Sequence, residues 1–187
     1  MVELIVRQFE QTPGNYLVFA SSFDYLSRIT GQLQSVAPHI PRRLQQRNMT
    51  EAERKEFLDG FVCGGQCLGL AVLGGAFGEG VDLPGERMIG AFIATLGLPQ
   101  LNEVSERMRL RMEELFQAGY AYTYLYPGLH KVVQAAGRVI RTRNDRGIVF
   151  LIDDRYTRPE VRELLPKWWK VQLLSTPRPR PDRGMDS

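Results

Sequence analysis

Histidine, cysteine and lysine are scarce in this 187-residue chain, which holds two His and two Cys, and only four of its 24 basic residues are Lys. A closed structural zinc site takes four ligands. Cys63 and Cys67, spaced as CGGQC, supply two, and His39 and His130 stand too far apart in sequence to complete a set. Both cysteines are therefore expected to be reduced, in or near the core. No apolar run reaches the roughly 18 residues that a membrane span needs. Glu3, Arg7 and Glu10 interrupt the N-terminal segment where a signal peptide needs an unbroken apolar stretch, so no membrane partner and a cytoplasmic location are expected. Internal repeats are absent as well. The formal charge of +3 fits a nucleic-acid partner without demanding one. The Arg excess fits phosphate, because Arg offers a planar fork of donors, and it equally fits a GC-rich genome.

Apolar residues are plentiful at 43%, enough for one full core. Val2, Ile5, Val6 and Phe9 follow the spacing of a helix face. Tyr16 to Ala20 reads as a strand, with Ser21 and Ser22 capping a helix that runs through Phe23, Leu26, Ile29 and Leu33. A helix is predicted from Thr50 to Val62, opened by a Thr50/Glu53 capping box and burying Phe57, Leu58 and Phe61. The runs Cys67 to Leu73 and Met88 to Leu96 lack alternation, as parallel strands covered on both faces do. Helices are predicted from about Asn102 to Gln117 and from Pro127 to about Arg141, then a strand from Gly147 to Asp153. Strands alternating with helices imply an open, mostly parallel α/β sheet with ligand sites at the carboxyl ends of its strands. This domain is expected over residues 1–175, followed by a disordered Pro/Arg-rich tail over 176–187.

Two stretches carry chemistry. In QAAGRVIRTRNDRG, a helix would place Gln134, Arg138 and Arg141 at i, i+4 and i+7, on one face beside small Ala and Gly residues. Such a face can approach a phosphate chain, and it also fits a solvated basic helix end. In GGAFGEGVDLPGE, five glycines let backbone N–H groups turn toward an anion, while Glu79 and Asp82 offer acceptors for a ribose hydroxyl or a metal-bound water. A plain tight turn uses the same residues. Tyr120, Tyr122, Tyr124 and Tyr126 alternate as packing residues or as stacking platforms for bases. Asp153 and Asp154 serve either as a turn lock with Arg155 or as metal ligands of a nuclease.

Together these stretches resemble one family. QAAGRVIR resembles motif VI of superfamily 2 helicases in the QxxGRxxR form of the XPD/DinG branch, and FGEGVDLPGE resembles that branch's motif V. GNYLVFASSFDYL is similar to motif IV, and GIVFLIDDRY to the strand and Asp-x-Arg turn that follow motif VI. The order agrees over about Gly14 to Leu165.

The resemblance implies the second of two RecA-like (P-loop NTPase-type) lobes that close on ATP at their interface. Arg138 and Arg141 match the arginine fingers, and Gln134 the residue that orients them. Gly80, Glu79 and Asp82 match the motif V loop at the nucleotide, while Ser21, Ser22 and Gly78 match contacts to single-stranded DNA. The phosphate loop and the acids that hold Mg²⁺ belong to the N-terminal motor lobe of such proteins, and neither GxxxxGK[ST] nor an Asp-Glu-Ala-His box occurs here. The family allows an iron–sulfur cluster on four cysteines of that first lobe, whereas two cysteines cannot hold one in this chain. The implied function is the second motor lobe of an ATP-dependent DNA helicase, with this chain inactive by itself. The alternatives are a non-catalytic nucleic-acid-binding module and a self-contained nuclease or phosphatase.

Overall fold

Six consecutive buried residues, Asn15–Ala20, form β1, the middle strand of a five-stranded sheet. A strand covered on both faces has no solvent side to alternate toward, which is why NYLVFA is so nearly apolar. The architecture is that of a computed structural model, which describes residues 1–75, 77, 87–139 and 147–174. β2 (Arg42–Leu44), β3 (Cys67–Val72), β4 (Gly90–Ala94) and β5 (Ile148–Leu151) complete the sheet in the order β2-β3-β1-β4-β5. Every pairing is parallel. Ala20 lies beside both Val72 and Ala94, so the carboxyl ends of the three central strands share one edge.

Helices cover both faces, as the alternation of elements predicts. On one face α1 (Val2–Gln11) and α2 (Phe23–Val36) bring Ile5, Phe9, Leu26, Ile29 and Leu33 against Val18, Leu68, Leu70 and Phe92. On the other, α3 (Glu51–Asp59) and α5 (Tyr126–Ala136) bring Phe57, Leu129 and Val132 against Leu17, Phe19, Ala71 and Ile93. The short α6 (Pro159–Arg162) adds Val161 to that second cluster. Gly69 allows this packing, because a Cβ there would sit 2.5 Å from the Phe61 ring and 2.8 Å from Leu17. α4 (Glu103–Phe116) buries no side chain at all.

The predicted caps at Ser22 and Thr50 form, and Asn102 adds one that the sequence reading did not name. Ser22 accepts the Tyr25 N–H, Asn102 accepts the Ser105 N–H, and Thr50 and Glu53 exchange both bonds of a capping box. Several expectations are corrected. α3 stops at Asp59 rather than Val62, because Gly60 ends it and Phe61 turns into the core. β2 was not foreseen: RRL is short, polar and half-buried. The alternating tyrosines lie on helix, since Ala121–Leu125 is a π-helical turn leading into α5. There Tyr124 is buried, while Tyr120, Tyr122 and Tyr126 are exposed. Cys67 is buried as expected, but Cys63 is exposed.

The end of α5 differs most. The helix stops at Ala136 rather than near Arg141, and Gly137 caps it. Arg138 N–H then donates to Ala135 O and Val139 N–H to Ala136 O, the three-residue spacing of a tighter 3₁₀ turn. Gly137 is a poor helix former, which favours a stop there. Gln134 thus sits on the helix and Arg138 in the turn beyond it, so a single α-helical face does not hold both. Arg141 and the expected tail lie outside the described residues. No described helix is long and apolar enough to cross a membrane.

Candidate nucleotide and nucleic-acid site

The end of β1 delivers Ser21 and Ser22, both exposed, to the first turn of α2. The Ser22 hydroxyl accepts the Tyr25 N–H at 3.1 Å, which leaves its own O–H able to donate. Arg47 reaches the same turn, its guanidinium 4.6 Å from the centre of the Phe23 ring and 3.4 Å from Asp24. This helix end carries outward-facing N–H groups with an Arg alongside, a setting that suits an anion.

The glycine-rich stretch begins next to it. Leu73 N–H donates to Ala20 O at 2.9 Å, so the loop's root lies beside the residue that precedes Ser21. Gly74 has φ +75, a conformation that glycine adopts without strain. A Cβ on Gly74 would stand 3.1 Å from the Lys131 side chain, which reaches across from α5. One helical turn beyond Lys131 comes Gln134, half-buried, and then Arg138, also half-buried. The N-terminal end of α5 is seated where Gly128 and Gly97 face each other, since a Cβ on either would come within 2.7 Å of the opposing backbone. The structure thus brings Ser21 and Ser22 together with the loop root, and links that root to the helix of Gln134. Gly78, Glu79, Gly80 and Asp82 lie outside the described residues, as does Arg141.

Asp153 takes the turn-locking part. Its carboxylate accepts from Arg155 Nε at 2.8 Å, Arg155 Nη2 at 2.6 Å and the Arg155 N–H at 3.0 Å. Burial opposes its ionisation, but these hydrogen bonds outweigh it and hold the carboxyl below the usual Asp range. Next to it the Tyr156 hydroxyl donates to Thr95 O at 2.7 Å, joining the ends of β5 and β4, and burial pushes that phenol far up. Asp153 and Asp154 border a 620 Å³ cleft along β5, which includes neither Gln134 nor Arg138. Among the described residues no three His, Cys, Asp or Glu side chains group as metal ligands.

Sequence reasoning missed Gln45, which holds the loop root from the β2 side, and Lys131, whose side chain lies beside Gly74. A strand signal in RRL would have pointed to Gln45 as a residue at a strand's carboxyl end, but two arginines mask it.

The chain matches the helicase C-terminal domain family over residues 5–172. It is 29% identical over 167 residues to the ATP-dependent DNA helicase chl-1 of Caenorhabditis elegans, covering 83% of this chain and 20% of that protein. It is 25% identical over 179 residues to the general transcription and DNA repair factor IIH helicase subunit XPD of Arabidopsis thaliana, covering 89% and 23%. The chain therefore spans about a fifth to a quarter of the length of these relatives. Its fold is that of an XPD helicase structure (TM-score 0.69, 19% identity, 87% of this chain and 29% of the other). The second domain of the DEAD-box helicase Mss116p, bound to an RNA duplex, shares it more distantly (TM-score 0.54, 16% identity, 87% and 52%). With a RecA-like, all-parallel sheet and a motif order that agree with this match, the chain belongs to the helicase C-terminal domain family.

Proposed function

We propose that this chain is the second motor lobe of an ATP-dependent DNA helicase, closing on a nucleotide held mainly by an N-terminal lobe. The observation that carries the reading is convergence. The serine turn after β1, the root of the glycine-rich loop after β3 and the α5 helix of Gln134 all meet at Ala20, Leu73, Gly74 and Lys131. One face of that junction suits nucleic-acid phosphates and the other leads to the nucleotide. Ser21 and Ser22, with Arg47 near the same turn, take the DNA backbone, and the family resemblance assigns Gly78 to it as well. The resemblance to motif V assigns Glu79, Gly80 and Asp82 to the nucleotide.

Phosphoryl transfer spreads negative charge over the equatorial oxygens of the transferred group. Arg138 and Arg141 meet that charge as planar forks, and Gln134, a turn earlier, orients them. Mg²⁺, held by the acids of the first lobe, neutralises the phosphates when bound. The tight turn after Gly137 sets Arg138 on a short backbone connection to α5.

The test is DNA-stimulated ATP hydrolysis by this chain joined to its first lobe, with Arg138→Ala, Arg141→Ala and the two Lys variants. An arginine finger contributes about 10³ to 10⁵ in rate. Both Ala variants are expected to lose turnover on that scale while unfolding within about 1 kcal/mol of wild type. Lys restores little, because a point ammonium cannot bridge two oxygens. Normal melting together with near wild-type turnover in both Ala variants rules the assignment out.

A further inference from the structure

We propose that Gln45 is a positioning residue of the motor, whose buried side chain fixes the root of the glycine-rich loop to the end of β2. The inference rests on the motor-lobe reading above. β2 is three residues long, and its last register pair is Leu44 with Leu70. Gln45 N–H still donates to Leu70 O at 2.9 Å, after which the chain leaves the sheet toward α3. The next β3 donor on that side, the Val72 N–H, has no β2 carbonyl to meet. Gln45 Oε1 takes its place at 2.8 Å, so a side chain extends the ladder by one rung. The Gln45 residue is only 7% exposed, and a Cβ on Gly75 would lie 3.2 Å from its Nε2.

The rung acts where the loop starts. On the other side of β3, Leu73 N–H is held by Ala20 O, and Gly75 N–H turns back to Val72 O at 3.1 Å. Lys131 covers Gly74 from α5. Within four residues the chain is hydrogen-bonded to β1 and to the end of β2, with Lys131 of α5 alongside, and it then enters the segment of Glu79 and Asp82. An apolar residue at position 45 fills the same space but leaves the part-buried Val72 N–H without its acceptor, and the strand end then shifts to find another. A shift at the root changes where the chain leaves the sheet, and a misplacement of about 1 Å far from the chemistry is enough to cost a large factor in rate. Gln45 therefore acts through the loop rather than on substrate.

The experiment uses Gln45→Met, which keeps length without an acceptor of comparable strength, and Gln45→Glu, which keeps the acceptor. Amide exchange is followed in the chain, and ATP turnover with single-stranded DNA in the chain joined to its first lobe. Loss of this part-buried hydrogen bond makes exchange at Val72 about tenfold faster in Gln45→Met, with β1 and β4 unchanged. DNA-stimulated kcat falls about tenfold while KM for ATP moves less than twofold, and Gln45→Glu recovers most of the loss. If Gln45→Met raises exchange across the whole sheet, Gln45→Asn, whose amide is too short to reach Val72, replaces it in both assays. Unchanged exchange at residues 72–75 overturns the anchoring role. Faster exchange with unchanged kcat overturns its part in the reaction. Arg138→Ala, run alongside, separates this failure from that of the motor reading, which falls only if Arg138→Ala also keeps full turnover.

Discussion

Asp153 receives three hydrogen bonds from Arg155 with its side chain only 12% exposed, and this pair determines how the turn after β5 responds to acid. Its pKa is lowered in the folded state, burial being outweighed by those bonds. A depressed carboxyl contributes stability that is complete above the unfolded pKa of about 3.9 and is lost as pH falls through the folded value. Asp153→Asn is expected to cost about 2 kcal/mol at pH 7, roughly 4–8 °C in melting temperature. The gap to wild type should narrow below about pH 4. Equal gaps at pH 7 and pH 3 would sink this account. The Asp-x-Arg pairing was legible as a turn in the sequence, since both residues are local. That Tyr156 then ties the same turn to Thr95, 61 positions away, was not.

Among the elements, α4 stands apart. It buries nothing, and Val104, Met108, Leu110 and Leu115 along it are exposed. Besides a ring contact of Phe116 with Tyr122 at 5.0 Å, its attachment is polar. The Tyr124 hydroxyl of the π-helical turn donates to Glu106 at 2.6 Å, and Glu113 accepts the Gly119 N–H at 2.7 Å. The Glu106 carboxyl is held low by the Tyr124 hydroxyl and then by Arg109, and the same bond raises the Tyr124 phenol. Tyr124→Phe should therefore speed amide exchange along α4 while leaving β1 and β3 unchanged. A uniform rise across the domain would mean that the ring, not the hydroxyl, does the holding. The sequence located α4 through Asn102 and its helical composition. It could not show that AYAYTYLY forms ring pairs at i, i+4, such as Tyr120–Tyr124 at 5.7 Å and Tyr122–Tyr126 at 5.2 Å, because alternation by itself does not choose a backbone.

For the whole molecule, the proposed motor-lobe role gives this chain half of two sites. Without a phosphate loop or Mg²⁺-binding acids it is expected to show no ATP turnover even with single-stranded DNA present. Turnover that survives Arg138→Ala but is abolished by Asp153→Asn would instead place catalysis at β5. Binding to single-stranded DNA should be weak, indifferent to base sequence and lost as salt rises, because phosphate contacts dominate it. A strong preference for one sequence with little salt dependence would point to a specific binding module. The sequence by itself determined which segments are strands and helices wherever the signal is local: the unbroken apolar run of β1, the caps at Ser22 and Thr50, and the family-like order of the glycine loop and the Gln-Arg stretch. Only the tertiary structure decided the strand order, the existence of β2, the early end of α5 at Gly137 and the part played by Gln45. Parallel neighbours are distant in sequence, and a three-residue edge strand such as RRL is stabilised by its partner rather than by its own residues. The Val72 N–H that gives Gln45 its purpose comes to need an acceptor beyond β2 only once the sheet has assembled.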